Sequence, residues 1–227
     1  MSETVLGMKS IRPLLIASVA ASLIFLFADS LAAGDWPVVF KLASIAILAT
    51  LAIRADKLLA TALAFGALGD FFLGVRRIGS LDAEKLFLFG LGAFLLGHLV
   101  YIALFVRLRQ RQWRHRPAQE LAVTAILICL AIVLLQLQHA LGPLLVPVVV
   151  YALVLATMAI CAQFADLGTP LVAIGALCFV ASDAMLAIAR FRGPFSFSFE
   201  LIWISYYLAQ LLIALGVLRY FLARRPA

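Results

Sequence analysis

Two aspartates, Asp70 and Asp183, stand inside long apolar runs. If those runs cross a bilayer, each carboxyl group costs roughly 2.5–3.5 kcal/mol on insertion scales, so it must face a cavity or a partner. Both lie about 12–13 residues into their runs, a depth of about 18–20 Å at 1.5 Å per residue. Two acids at one level can hold unequal proton affinities and supply a general acid and a general base together. The alternative is that each Asp caps or bridges helices through hydrogen bonds. Other polar residues gather near the same level. Lys41 could neutralise a carboxylate, bind a phosphate or snorkel outward. Lys41 sits about one turn inside its run and Tyr151 about two, with Gln210 similarly placed, and Trp203, Tyr207 and Gln210 share one helical face. His98 lies nearer the midplane, with Phe94 and Tyr101 on its face. Gly66, Gly69 and Ser182 beside the acids allow neighbouring backbones to approach.

Several other chemistries are disfavoured. His115 and His139 fall between the apolar runs, so a three-histidine zinc site with His98 is not expected. Cys129, Cys161 and Cys178 lie within the runs without C-x-x-C spacing and read as packing residues. Ser182 adjoins an acid but has no histidine nearby in sequence, so no activated nucleophile is visible. Asp29, Glu120 and Glu200 fall at run ends, where an interfacial role suffices.

The elements that position these groups are legible from composition. Hydrophobic residues make up 66% of the chain and charged residues only 13%, too little polar surface to cover a water-soluble core. Mean hydropathy is +1.14. The apolar residues form eight continuous blocks: Pro13–Leu31, Pro37–Ile53, Leu58–Val75, Leu86–Phe105, Leu121–Leu137, Leu144–Phe164, Pro170–Ala189 and Leu201–Leu222. Continuous rather than alternating blocks predict helices, each satisfying its own backbone hydrogen bonds in lipid. The expectation is an all-α, polytopic transmembrane bundle of eight helices, one integral membrane domain over residues 1–227. The first block exceeds the ~7–15 residues of a signal-peptide core, so Lys9, Arg12 and the run after them read as a retained helix.

Charge follows the same alternation. Lys9, Arg12, Arg54, Lys57, Arg107, Arg109, Arg111, Arg114, Arg116, Arg219, Arg224 and Arg225 fall on one side; Arg76, Arg77, Lys85, Arg190 and Arg192 fall on the other. This asymmetry places both termini in the cytoplasm, of a bacterial inner membrane by expectation. The net charge of +7 is thus a topology signal, with some attraction to anionic membrane lipids, and not a nucleic-acid footprint.

The chain also reads as built twice. Ala-Leu-Gly-Asp-Phe-Phe-Leu-Gly at 67–74 aligns with Val-Ala-Ser-Asp-Ala-Met-Leu-Ala at 180–187, and Arg77 with Arg190, at an offset of 113. At an offset of 112, Phe94 meets Tyr206 and His98 meets Gln210. These matches suggest a four-plus-four parallel repeat, about 13–110 and 119–222, as in some transporters.

Phe40-Lys41, Ala-Leu-Gly-Asp at 67–70, Gly97-His98 with Tyr101, Tyr151 with Met158, Gly175-Ala176 with Ser182-Asp183, and Tyr206-Tyr207-Leu-Ala-Gln210-Leu carry a resemblance. Between about residues 37 and 216 the chain resembles the YhhN-type lysoplasmalogenase family of eight-helix membrane proteins. One departure is Leu42, where that family's pattern has proline after the lysine. The resemblance implies hydrolysis of the vinyl-ether bond of a lysophospholipid, giving a fatty aldehyde and a glycerophospho-headgroup compound. Asp70 and Asp183 would share acid and base roles. Lys41 would hold the phosphate, and Tyr151, Tyr207 and Gln210 would orient the headgroup or water, with His98 and Ser182 nearby. No metal or organic cofactor is called for. The alternative from the residues alone is a proton-coupled transporter of a small amphipathic or lipid substrate, with a lipid-binding scaffold third.

Overall fold

A computed structural model describes residues 2–29, 36–75, 82–109 and 117–224. Arg76, Arg77, Arg111, Arg114, His115, Arg116 and Arg225, used above for topology, repeat and zinc arguments, lie outside the described residues. Among the described residues there are eight α-helices: α1 (Ser2–Asp29), α2 (Val38–Ile53), α3 (Lys57–Gly74), α4 (Ala83–Arg107), α5 (Pro117–Leu137), α6 (Leu145–Gln163), α7 (Leu171–Arg192) and α8 (Ser198–Leu222). A single 3₁₀ turn at Gly142–Leu144 leads into α6, and no strand is formed among these residues. Each predicted block overlaps one helix, and α1 begins at Ser2, eleven residues ahead of the block that starts at Pro13.

Seven helices are long and apolar enough to cross a membrane. The exception is α2, whose 16 residues span about 24 Å against a hydrocarbon core of about 30 Å. Large apolar side chains such as Ile16, Phe27, Leu121 and Val146 face outward. In water these would form a costly continuous surface, whereas lipid is their natural solvent. The protein is an integral membrane protein.

The chain divides into two compact units. The first comprises residues 1–101 with 217–227, and the second residues 102–216. In the first unit α1 packs on α2 and α2 on α3. Ile11, Leu51 and Leu218 form a small apolar cluster, joined by Leu15, Ile47, Ala55 and Leu222. The Ser18 hydroxyl donates to the Ser44 carbonyl at 2.7 Å, and Ser44 donates to the Lys41 carbonyl at 2.7 Å. These buried hydroxyls tie α1 to the stretch of α2 that carries Lys41. α3 starts where Asp56 accepts from the amides of Leu58 (2.9 Å) and Leu59 (3.2 Å), an N-cap that satisfies two otherwise unbonded donors. α4 approaches α3 closely enough that a Cβ on Gly97 would lie 3.3 Å from the Ala62 carbonyl oxygen.

In the second unit α5, α6 and α7 pack on one another. Gln163 ends α6 by donating to the carbonyls of Ala159 and Ala173, both at 3.2 Å, and its own carbonyl accepts from Gln119 of α5 at 2.6 Å. One amide residue thus ties three helices at one end. α7 meets α8 through Gly175, where an added Cβ would fall 2.9 Å from the Ala209 carbonyl oxygen.

Candidate functional site

In the first unit, Asp70 lies thirteen residues beyond Lys57 on α3, about 20 Å along the helix. It is held by Lys41 of α2, whose ammonium sits 3.0 Å from Oδ1. Side-chain exposure is 14% for Lys41 and 2% for Asp70, so the ion pair is almost wholly withdrawn from the outside. The Phe25 ring of α1 lies 5.8 Å from the same ammonium, within cation–π range. Of the three fates open to Lys41, the structure shows neutralisation of a carboxylate. Leu42 causes no break: α2 continues unbroken from Val38 to Ile53. His98 is buried in α4, as is Tyr101 one turn later.

In the second unit, Asp183 lies twelve residues beyond Leu171 on α7, about 18 Å along the helix. The Tyr151 hydroxyl of α6 donates to Asp183 Oδ2 in a short hydrogen bond. Asp183 and Tyr151 are each only part-buried. Tyr151, expected to orient headgroup or water, is thereby engaged with an acid. Ser182 donates to the Ile202 carbonyl of α8 at 3.1 Å, so it bridges helices through its hydroxyl rather than merely by being small. Gln210 is buried and its amide donates to the Tyr206 hydroxyl at 3.2 Å. Tyr207 stacks on Trp203 at 6.0 Å between ring centroids, and Tyr206 meets Phe179 edge-on at 5.4 Å.

Two of the expected residues in each unit are therefore brought together: Lys41 with Asp70, and Tyr151 with Asp183. Gly69 behaves differently from expectation. The space of its missing Cβ is taken by the Phe94 ring, 2.6 Å from where a Cβ would stand, instead of by a neighbouring backbone. Sequence reasoning had no signal for Phe25, which is one of many phenylalanines in apolar runs. Tyr206 could have been found, since it precedes Gln210 by one helical turn in a predominantly apolar run.

Against this geometry stand the likenesses to known proteins. The YhhN family model matches residues 36–217. The chain belongs to the YhhN family. It is 36% identical over 184 residues to a protein of Mycobacterium bovis named lysoplasmalogenase, covering 78% of this chain and 68% of that one. A Mycobacterium tuberculosis protein of the same name matches to the same extent. No solved structure matches significantly. The matched region includes all eight candidate site residues.

Proposed function

We propose that this membrane protein hydrolyses the vinyl-ether bond of lysoplasmalogens, with Asp70 and Asp183 in unlike roles. The observation that carries the proposal is that two carboxyl groups, each deep in an apolar helix, are engaged by a polar side chain of the preceding helix: the Lys41 ammonium for Asp70 and the Tyr151 hydroxyl for Asp183. Family membership and relatives named lysoplasmalogenase support the substrate class.

A vinyl ether is hydrolysed by protonation of its β-carbon, which leaves an oxocarbenium ion on the ether side. The proton donor must be a carboxylic acid. An aspartate paired with an ammonium is present as carboxylate, which suits Asp70 to the charge-stabilising and water-activating role. Asp183 is then the acid. Water adds to the cation, and the hemiacetal collapses to fatty aldehyde and glycerophospho-headgroup alcohol. Lys41 supports Asp70 and offers its charge to the substrate phosphate, while Tyr207 and Gln210 contribute to headgroup binding. The site belongs to the outer half of a bacterial inner membrane, with both termini cytoplasmic.

Purified protein in detergent, without any gradient, should release aldehyde from 1-alkenyl lysolipids. It should act little on 1-acyl analogues and not at all on 1-alkyl ones, because only a vinyl ether offers a carbon that accepts a proton. In deuterated water the aldehyde should carry one solvent deuterium at its α-carbon. Comparable cleavage of acyl lysolipids, or aldehyde lacking that label after correction for exchange, would overturn the acid-first chemistry.

A further inference from the structure

Resting on the hydrolysis proposed above, we infer that Phe25 of α1 is a positioning residue: its ring helps hold the Lys41 ammonium beside Asp70, where that charge receives the substrate phosphate. α1 lies ahead of residues 36–217, the stretch matched by the family model, so the inference gives a helix outside that stretch a part in the site.

The seam between α1 and α2 brings the ring to its place. Ile11, Ser18 and Phe25 follow one another at seven-residue intervals on α1. Seven residues turn a helix almost twice, so the three lie along one face. All three are buried. Ile11 clusters with Leu51, the Ser18 hydroxyl donates to the Ser44 carbonyl at 2.7 Å, and the Lys41 ammonium lies 5.8 Å from the centre of the Phe25 ring. As α1 advances from Ile11 to Phe25, its contacts step back along α2 from Leu51 to Ser44 to Lys41. The two helices are therefore antiparallel and in fixed register. The seven residues from Ser18 to Phe25 cover about 10 Å of α1, whereas the three from Ser44 back to Lys41 cover about 4.5 Å of α2. The stem of Lys41 makes up the difference, because helical side chains lean toward the N-terminus of their helix. Its backbone is engaged as well, since the Lys41 carbonyl accepts from the Ser44 hydroxyl at 2.7 Å.

A lysine carries its charge on a flexible four-carbon stem, and one carboxylate attracts that charge without fixing its direction. The ring adds a second attraction from a different helix. Such an attraction is strongest where water is excluded. Here 14% of the Lys41 side chain is exposed and only 4% of Phe25. An ammonium held by both groups meets the substrate already in position, which lowers the ordering cost of binding a phosphate. A phenylalanine that only filled space between α1 and α2 would serve as well with any ring of the same shape.

Replacing Phe25 in the full-length purified protein by 4-fluoro-, 3,5-difluoro- and 3,4,5-trifluorophenylalanine tests this. Fluorine withdraws the negative face of the ring and nearly preserves its shape. KM for a 1-alkenyl lysolipid should rise stepwise, to about 3–30-fold at the trifluoro ring, with kcat nearly unchanged. Phe25→Leu should raise KM to a similar extent; if it does not fold, the fluorinated rings, which keep the packing, decide alone. The melting temperature should fall stepwise along the series in the parent. It should stay level along the same series in Lys41→Met combined with Asp70→Asn, which removes the ammonium. A KM that does not move along the series in an active protein overturns the inference. A melting temperature that falls alike in both backgrounds also overturns it, because the ring then acts by packing alone. A parent that turns over no 1-alkenyl lysolipid removes the hydrolysis itself and this role with it, so the two failures are told apart.

Discussion

Asp70 and Asp183 stand at nearly the same distance along their helices, yet their surroundings differ in kind. Asp70 is enclosed, with 2% of its side chain exposed, and is bonded to a cation. Asp183 is only part-buried and accepts from a neutral hydroxyl. In both cases the partner comes from the preceding helix, α2 for α3 and α6 for α7. A buried charge in a membrane protein is costly unless another charge matches it, and Lys41 supplies that match for Asp70. The two acids thus share a sequence context and still differ in burial and in the kind of side chain that engages them.

The largest effects should fall on the acids themselves. Asp70→Asn and Asp183→Asn are each expected to lower turnover on the order of 10²–10⁴-fold, the usual range for a missing acid or base. Stability should separate them. Asp70→Asn leaves the Lys41 ammonium without its carboxylate in a buried place, a change that typically costs about 3–5 kcal/mol. Asp183→Asn leaves a phenol facing an amide, which can still accept its hydrogen bond. Thermal unfolding in detergent should therefore show a marked drop for the first and a small one for the second. Equal drops would mean that the two environments are energetically alike. Next in size, Lys41→Met should destabilise by a similar amount. Lys41→Met combined with Asp70→Asn should recover much of that stability without recovering activity. A double variant as unstable as the sum of the two singles would show that the ion pair is not an energetic unit.

The difference between the acids was not legible in the sequence, although the acids were. Continuous apolar blocks identified every helix, because lipid leaves the backbone few alternatives. Isolated polar residues in those blocks identified Lys41, Asp70, Tyr151 and Asp183, because each is costly enough to require a reason. Pairing is another matter. Lys41 and Asp70 are 29 positions apart and Tyr151 and Asp183 are 32 apart, so their contacts depend on helix rotation and crossing. Rotation is set by packing such as Phe94 against Gly69, which no periodicity encodes in a helix that is apolar all round. Phe25, behind Lys41, carried no signal for the same reason.

A smaller test of the comparison uses one glycine on each acid-bearing helix. A Cβ at Gly69 would meet the Phe94 ring, a side chain that can turn. At Gly175 it would meet the Ala209 carbonyl oxygen at 2.9 Å and the Ile213 amide nitrogen at 3.1 Å, which move only if α7 and α8 separate. Gly175→Ala should therefore cost about 1–3 kcal/mol in overpacking. Gly69→Ala should cost less, partly offset by the ~1 kcal/mol that alanine gains over glycine in a helix. The reverse order in thermal unfolding would place the rigid contact beside Asp70 instead.

The smallest effect is expected at Ser182, the residue beside the second acid. Its hydroxyl donates to the Ile202 carbonyl across α7 and α8. Ile202 lies within α8, so its carbonyl has a backbone donor of its own on the helical ladder and is not orphaned when the serine is lost. Interhelical hydrogen bonds in membranes average about 0.6 kcal/mol when measured by double-mutant cycles. Alanine keeps the small volume that lets the helices meet. Ser182→Ala should accordingly unfold within about 1 kcal/mol of the parent and turn over at a nearly unchanged rate. Cysteine at this position should behave alike. A tenfold or larger fall in kcat for Ser182→Ala, with unfolding unchanged, would assign the hydroxyl to the reaction. It would also mean that the surroundings of Asp183 include a further group acting on substrate.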